Sequence, residues 1–164
     1  MAAKLLKSKK RSATSLLPDL PLYLDEDIDS ARIYEALIAM RVDVYRHRDY
    51  FAQGEKDHVW LPTVAANGWI VLTKDEAMQR GEIEKIAIRN AKARVFILVR
   101  GDLSAQEMAE IFVKALSPMA RVVRKHPPPF IAKVYRSGSV QKPIWFSSMH
   151  ISWLIQSIFK LGSE

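Results

Sequence analysis

Asp25 and Asp75 each stand just past a short apolar run. Leu22-Tyr23-Leu24 precedes the first; Trp69-Ile70-Val71-Leu72, then Thr73-Lys74, precedes the second. Such runs predict buried strands. An acid directly beyond a strand sits where open α/β sheets gather their sites, outside the C-terminal strand ends. Asp57 opens the helix leading to the second run, so a short crossover brings a third acid near. Carboxylates placed together repel one another unless a cation lies between them. Three hard oxygen donors suit Mg²⁺ or Mn²⁺. Ions held this way activate water and stabilise the leaving oxygen of a phosphodiester.

Each acid also has a purely structural use. Asp57 occupies an N-cap position, and Asp75 can cap whatever follows its strand. Asp27 and Asp29 fit surface or cap roles better than a site. The Thr73 hydroxyl can orient Asp75 or contact a phosphate; equally, Thr73 is an ordinary β-branched strand residue. His47, His58, His126 and His150 lack metal-ligand spacing and fit structural or exposed positions. No cysteine is present, which excludes disulfides, thiolate metal sites and a Cys nucleophile. The six glycines make no phosphate-cradling loop, and no GxSxG elbow occurs. Trp60 and Trp69 fit core stripes better than a base-stacking platform.

The elements that must position these acids alternate. After the first strand, Asp29 or Ser30 caps a helix with Ile33, Leu37 and Met40 at helical spacing. Val42 to Tyr45 predicts a second strand. Val59, Trp60, Val64 and Ala65 make the stripe of the next helix, which Asn67-Gly68 ends. A helix over 82–91 follows, with Ile83, Ile86 and Ala87 inward. Val95 to Leu98 predicts a fourth strand. Ser104 with Glu107 forms a capping box for a helix reaching about Arg124, and Phe130 to Tyr135 an edge strand. Residues 144–161 predict a final amphipathic helix. Strands alternating with helices imply an α/β fold with a mostly parallel sheet.

The chain has 164 residues and 49% hydrophobic composition, enough for one domain with a real core. Its net charge of +7 is uneven. Residues 1–11 hold five bases and no acid, and residues 111–163 hold eight bases and no acid. Between them, 17 acids face 12 bases. An acidic middle beside basic flanks suits a cation site next to a polyanion track; the plainer alternative is a solvated tail. No apolar leader is visible, and polar residues interrupt the stretch from Ile144 to Leu161, so no membrane span is expected. A reducing, cytoplasmic interior suits such a chain.

The strings Leu24-Asp25-Glu26-Asp27, Asp57-His58-Val59-Trp60-Leu61 and Trp69 through Asp75 resemble the PIN-like domain family. Within it the chain is most similar to the VapC-type toxins, whose ending the stretch from His126 to Val134 also resembles. The resemblance covers roughly residues 20–138, between a basic arm (1–20) and a C-terminal extension (139–164), with a PIN-like domain at 21–138. It implies a three-layer α/β/α sandwich and a divalent-metal-dependent ribonuclease, the toxin of a toxin–antitoxin pair. It implies Asp25, Asp57 and Asp75 as catalytic metal ligands, with Thr73 and Glu26 in support. Glu84 is the best match for a fourth acid, and Glu82 the second. Arg80, Arg121, Arg124, Lys125 and Arg136 are candidates to bind the RNA backbone, or else ordinary surface charges. An apolar tail (Trp145, Phe146, Trp153, Phe159) suggests a homodimer or an antitoxin contact. Two other functions stay open. One is an inactive PIN-like binding module. The other is a phospho-receiver-like domain, with Asp75 as acceptor and Lys142-Pro143 after a late strand.

Overall fold

The computed structural model describes residues 17, 20–99 and 101–144. The basic arm, apart from Leu17 and Leu20, and the predicted helix beyond Ile144, with its apolar tail, lie outside the described residues. Five strands, β1 (Leu22–Leu24), β2 (Val44–Arg46), β3 (Ile70–Thr73), β4 (Arg94–Leu98) and β5 (Phe130–Val134), form one sheet in the order β2-β1-β3-β4-β5. Every pairing within it is parallel. The connecting helices are α1 (Ala31–Ala39), α2 (Asp57–Ala66), α3 (Ala77–Arg80), α4 (Glu82–Ala91) and α5 (Ala105–Lys125).

Alternation along the strands explains the three layers. Leu22, Leu24, Ile70, Leu72, Phe96 and Leu98 face one side, where they pack with α1 and α5 through Ile33, Leu37, Phe112 and Leu116. Tyr23, Val71, Val95 and Ile97 face the other, where they meet Trp60, Leu61, Val64 and Ile88 of α2 and α4. Both faces are covered, as a parallel sheet requires. The sheet edge beyond β5 is also partly covered. The chain reverses at Gly138 (φ +84°), and Val140 and Ile144 bridge antiparallel to Val134 and Ile131.

Several local expectations change. Ser30 is the cap of α1, its Oγ accepting the Ile33 N–H, while Met40 falls past the helix end and is exposed. The second strand is shifted to Val44–Arg46, where Arg46 meets Asp29. In α2, Val59 is exposed and Leu61 is buried in its place. Helix α4 has the predicted bounds but a different inner face. Ile83 is 74% exposed and Ile86 is also exposed, whereas Ile88 is buried, flanked by Ala87 and Ala91. The inner face of α4 is thus Ile88 with Ala87 and Ala91, packed in the same cluster as Trp60, Leu61 and Val64 of α2. The capping box at Ser104 and Glu107 is present as expected.

Candidate active site

The parallel topology carries the ends of β1 and β3 to the same edge, and Asp25 and Asp75 meet there. A cleft of about 450 Å³ opens at this point, lined by Asp25, Asp27, Glu55, Asp57, Lys74 and Asp75, with Glu26 and Trp60 at its margins. Asp25 is 7% exposed, and Thr73 beside it is fully buried. The Thr73 hydroxyl donates to Asp25 Oδ2 (2.8 Å) and accepts the Asp75 backbone N–H (3.0 Å). Asp25 Oδ1 accepts the Glu26 N–H (2.7 Å), and Asp75 Oδ1 accepts the Ala77 N–H (2.8 Å). A backbone N–H thus fixes one oxygen of each carboxylate: Asp25 caps the turn at 26–28, while Asp75 precedes Glu76, the cap residue of α3. Thr73, being buried, orients both acids and is not exposed to touch a phosphate.

Asp57 does not cap α2. Lys56 is the cap residue, without a side-chain hydrogen bond, and Asp57 is the first helical residue, its carboxylate turned to the cleft. Glu26 supports this arrangement. Its Oε2 accepts the Gly54 N–H (2.8 Å), tying the turn after β1 to the loop that delivers Glu55 and Asp57. Gly54 takes a left-handed φ of +76° there.

Sequence reasoning missed Asp27, Glu55 and Lys74. Residues 26–28 form a single 3-10 turn, which returns Asp27 toward the end of β3. Its carboxylate lies 3.3 Å from the Thr73 hydroxyl and accepts the Lys74 N–H (3.2 Å). An Asp-Glu-Asp string carries no periodic signal for such a turn. Asp29, by contrast, is structural. It pairs with Arg46 (2.6 Å) and Arg48 (2.9 Å), joining the turn after β1 to β2. Burial alone would raise its pKa, but the two guanidiniums hold it below the usual carboxylate range.

Charge crowding marks the cleft. Burial, then repulsion from Asp27, pushes Asp25 up to about 7. Loss of water around its carboxylate pushes Asp27 up to about 6, against the hydrogen bond and the charge supplied by Lys74. Asp57 is also raised, by burial and then by Asp75 and Glu84. Glu84 lines a neighbouring recess with Asp57, His58 and Ile83, and does not line the cleft that holds Asp25. The second choice, Glu82, pairs with Lys85 (3.0 Å). The converging donors are all carboxylate oxygens, a set whose chemistry fits Mg²⁺ or Mn²⁺. Among the described residues, no three acids or histidines already stand close enough to hold an ion. The match is therefore one of donor type.

Nearby histidine and aromatic residues form the support. His47 is buried; its Nδ1 meets the Tyr23 hydroxyl (2.7 Å) and its Nε2 the Ala52 carbonyl (3.1 Å). A carbonyl only accepts, so Nε2 carries a proton and donates to Ala52. Burial, then Asp25, raises the Tyr23 pKa and keeps its hydroxyl protonated. Trp60 and Trp69 are core residues, as their spacing predicts. His58 is exposed, and His150 lies outside the described residues.

The five basic candidates divide between two edges. Helix α5 starts after β4 and ends before β5, so its C-terminus lies at the edge opposite the cleft. With 21 residues it is about 30 Å long. Arg121, Arg124 and Lys125 are therefore remote from the acids. Arg80 ends the short helix after Asp75 and pairs with Glu76; Arg136 follows β5 and pairs with Glu107 (3.0 Å). Both belong to the cleft edge. No described helix is long and apolar enough to cross a membrane.

Residues 21–100 match the family described as PIN-like domain. A Mycobacterium tuberculosis protein, provisionally named ribonuclease VapC45, is 29% identical over 132 residues, covering 77% of this chain and 95% of its own length. No solved structure gives a significant match. A five-stranded parallel sheet between helical layers agrees with the family match. Over residues 21–100 the chain is similar to the PIN-like domain family, and over 132 residues to a VapC-named protein.

Proposed function

We propose that this protein is a divalent-metal-dependent endoribonuclease and the toxin of a toxin–antitoxin pair. The observation that carries the reading is the convergence of Asp25, Asp57 and Asp75 from three chain segments on one cleft. The similarity to a protein provisionally named as a ribonuclease supports it. Asp25, Asp57 and Asp75 would hold Mg²⁺ or Mn²⁺. Asp27, which lines the same cleft, is better placed than Glu84 for a fourth carboxylate. The bound ion supplies charge neutralisation at the phosphate and an activated water. The chain's own residues do the positioning. Thr73 holds Asp25 and the backbone of Asp75 in fixed relation. Glu26 anchors the loop that brings Asp57 forward. Arg80 and Arg136 offer backbone contacts along the cleft edge.

An antitoxin would find apolar surface beside the site. Ile83, three-quarters exposed, lines the recess that also holds Asp57. A segment covering Ile83 would block access to that acid.

The test is cleavage of a mixed RNA pool by the full chain with Mg²⁺, with EDTA, and by Asp25→Asn with Mg²⁺. Cleavage is expected only in the first case. Equal cleavage by Asp25→Asn overturns the metal-site reading. RNA left intact in every case, with the folded protein still capturing a partner, points to an inactive binding module.

A further inference from the structure

A second recess, of about 580 Å³, opens on the other side of the β3 end. It shares Lys74 and Asp75 with the acidic cleft. Its opposite wall is Gly101, Asp102 and Leu103, beyond β4, with Met108 of α5 behind them. The two hollows thus sit outside neighbouring crevices of the sheet, β1/β3 and β3/β4, separated by the step at Lys74 and Asp75. Each has the volume of an ordinary ligand pocket.

Lys74 is the one cation that lines either hollow among the described residues. Its backbone N–H is fixed by Asp27, and it takes part in none of the salt bridges of the described residues. A cation so placed, between two hollows that are otherwise acidic, marks where a phosphate can approach. The second recess itself is no phosphate site, because Asp102 and Glu76 repel anions. Glu76 is already paired with Arg80, whereas Asp102 is exposed and enters none of the ion pairs among the described residues. Leu103 and Met108 add apolar surface. Apolar surface with a carboxylate acceptor is the chemistry of a nucleobase pocket, where the acceptor takes the hydrogen of an exocyclic amino group.

The geometry points to the second recess as the subsite for the nucleobase next to the cleaved bond, with Lys74 holding the phosphate between the two hollows. Asp102 favours bases that carry an exocyclic amino group, such as cytosine, over uracil. This inference rests on the ribonuclease reading above and adds to it the path of the strand.

The test uses the full chain and short single-stranded RNAs that differ by cytosine or uracil at one position. Lys74→Gln removes the cation. Gly101→Phe fills the recess; Gly101 has open space where a Cβ would stand. Asp102→Ala removes the acceptor. Melting temperature and Mn²⁺ titration check that each variant folds and keeps its metal affinity. For Lys74→Gln, the slope of log binding constant against log salt is expected to shrink by about 0.7, one phosphate contact on a single strand. For Gly101→Phe, KM is expected to rise about tenfold, because the ring occupies the space the base would take. Asp102→Ala is expected to erase the preference for cytosine. A folded Lys74→Gln protein with the wild-type salt slope, or a folded Gly101→Phe protein with the wild-type KM, overturns the inference alone. A wild-type protein that neither binds nor cleaves RNA overturns the ribonuclease reading and the subsite with it.

Discussion

The Thr73 hydroxyl donates to Asp25 Oδ2 at 2.8 Å across 48 residues of chain, and Thr73 Oγ1 accepts the Asp75 N–H at 3.0 Å. One buried side chain thereby fixes the ends of β1 and β3 against each other, and with them two of the three acids the family resemblance implies.

Thr73→Val leaves the Asp75 amide and one oxygen of Asp25 without this partner in a buried place. The expected cost is about 1–3 kcal/mol, read as a lower urea midpoint. Thr73→Ser keeps the hydroxyl and should lose less stability and less RNA cleavage. Equal effects of the two substitutions would show that the methyl group matters more than the hydrogen bonds.

Asp25→Asn should act in opposite directions on stability and activity. Its carboxylate is buried beside Asp27 and disfavoured when charged. Asn removes the charge and keeps one acceptor oxygen, giving up either the Thr73 bond or the Glu26 N–H bond. Without added metal at pH 8, the variant should be more stable by about 1–3 kcal/mol, while RNA cleavage disappears. Denaturant titration beside a cleavage assay measures both; a less stable variant would mean that Asp25 serves mainly to hold the fold.

The same crowding sets a pH dependence. Asp25 is raised to about 7 and Asp27 to about 6 from an ordinary 3.8. Between about pH 4 and pH 7 the folded chain therefore binds more protons than the unfolded chain at these two sites. Stability contributed by them falls as pH rises through that window. Asp29 has the reverse sign: its pKa is lowered, so its contribution is present at neutral pH and is lost below about pH 4. Thermal melting in EDTA from pH 4.5 to pH 8 should show a declining midpoint in the wild type. The decline should be flatter in Asp25→Asn.

Asp29→Ala separates a structural acid from the cleft acids. The Asp29 side chain is 4% exposed and holds Arg46, itself 16% exposed, together with Arg48. Removing it strands a largely buried guanidinium and should cost about 2–4 kcal/mol. Below its lowered melting temperature, the folded variant should still cleave RNA, because Asp29 does not line the cleft. Loss of cleavage in fully folded protein would contradict that division.

Replacing Arg121, Arg124 and Lys125 together by Ser should leave the KM for a short RNA unchanged, since the end of α5 lies at the opposite sheet edge. Arg80→Ser, at the cleft edge, should raise it. Initial-rate kinetics on one oligonucleotide compares the two proteins directly.

Much of the fold was legible in residue order alone, because strand and helix signals are local. The apolar runs at Leu22 and Trp69, the stop at Asn67-Gly68 and the capping box at Ser104 depend only on neighbouring residues. The same order placed Asp25 and Asp75 beyond strand ends, and a parallel sheet brings such positions to one edge. Tertiary structure decided what depends on rotation and turning. Packing against α2 and the sheet turned the Ile88 face of α4 inward and left Ile83 exposed. A 3-10 turn brought Asp27 to the cleft, and paired guanidiniums drew Asp29 away from it. The direction of α5 carried three basic residues to the far edge. These outcomes arise from contacts between segments distant along the chain, so no window of sequence contains them.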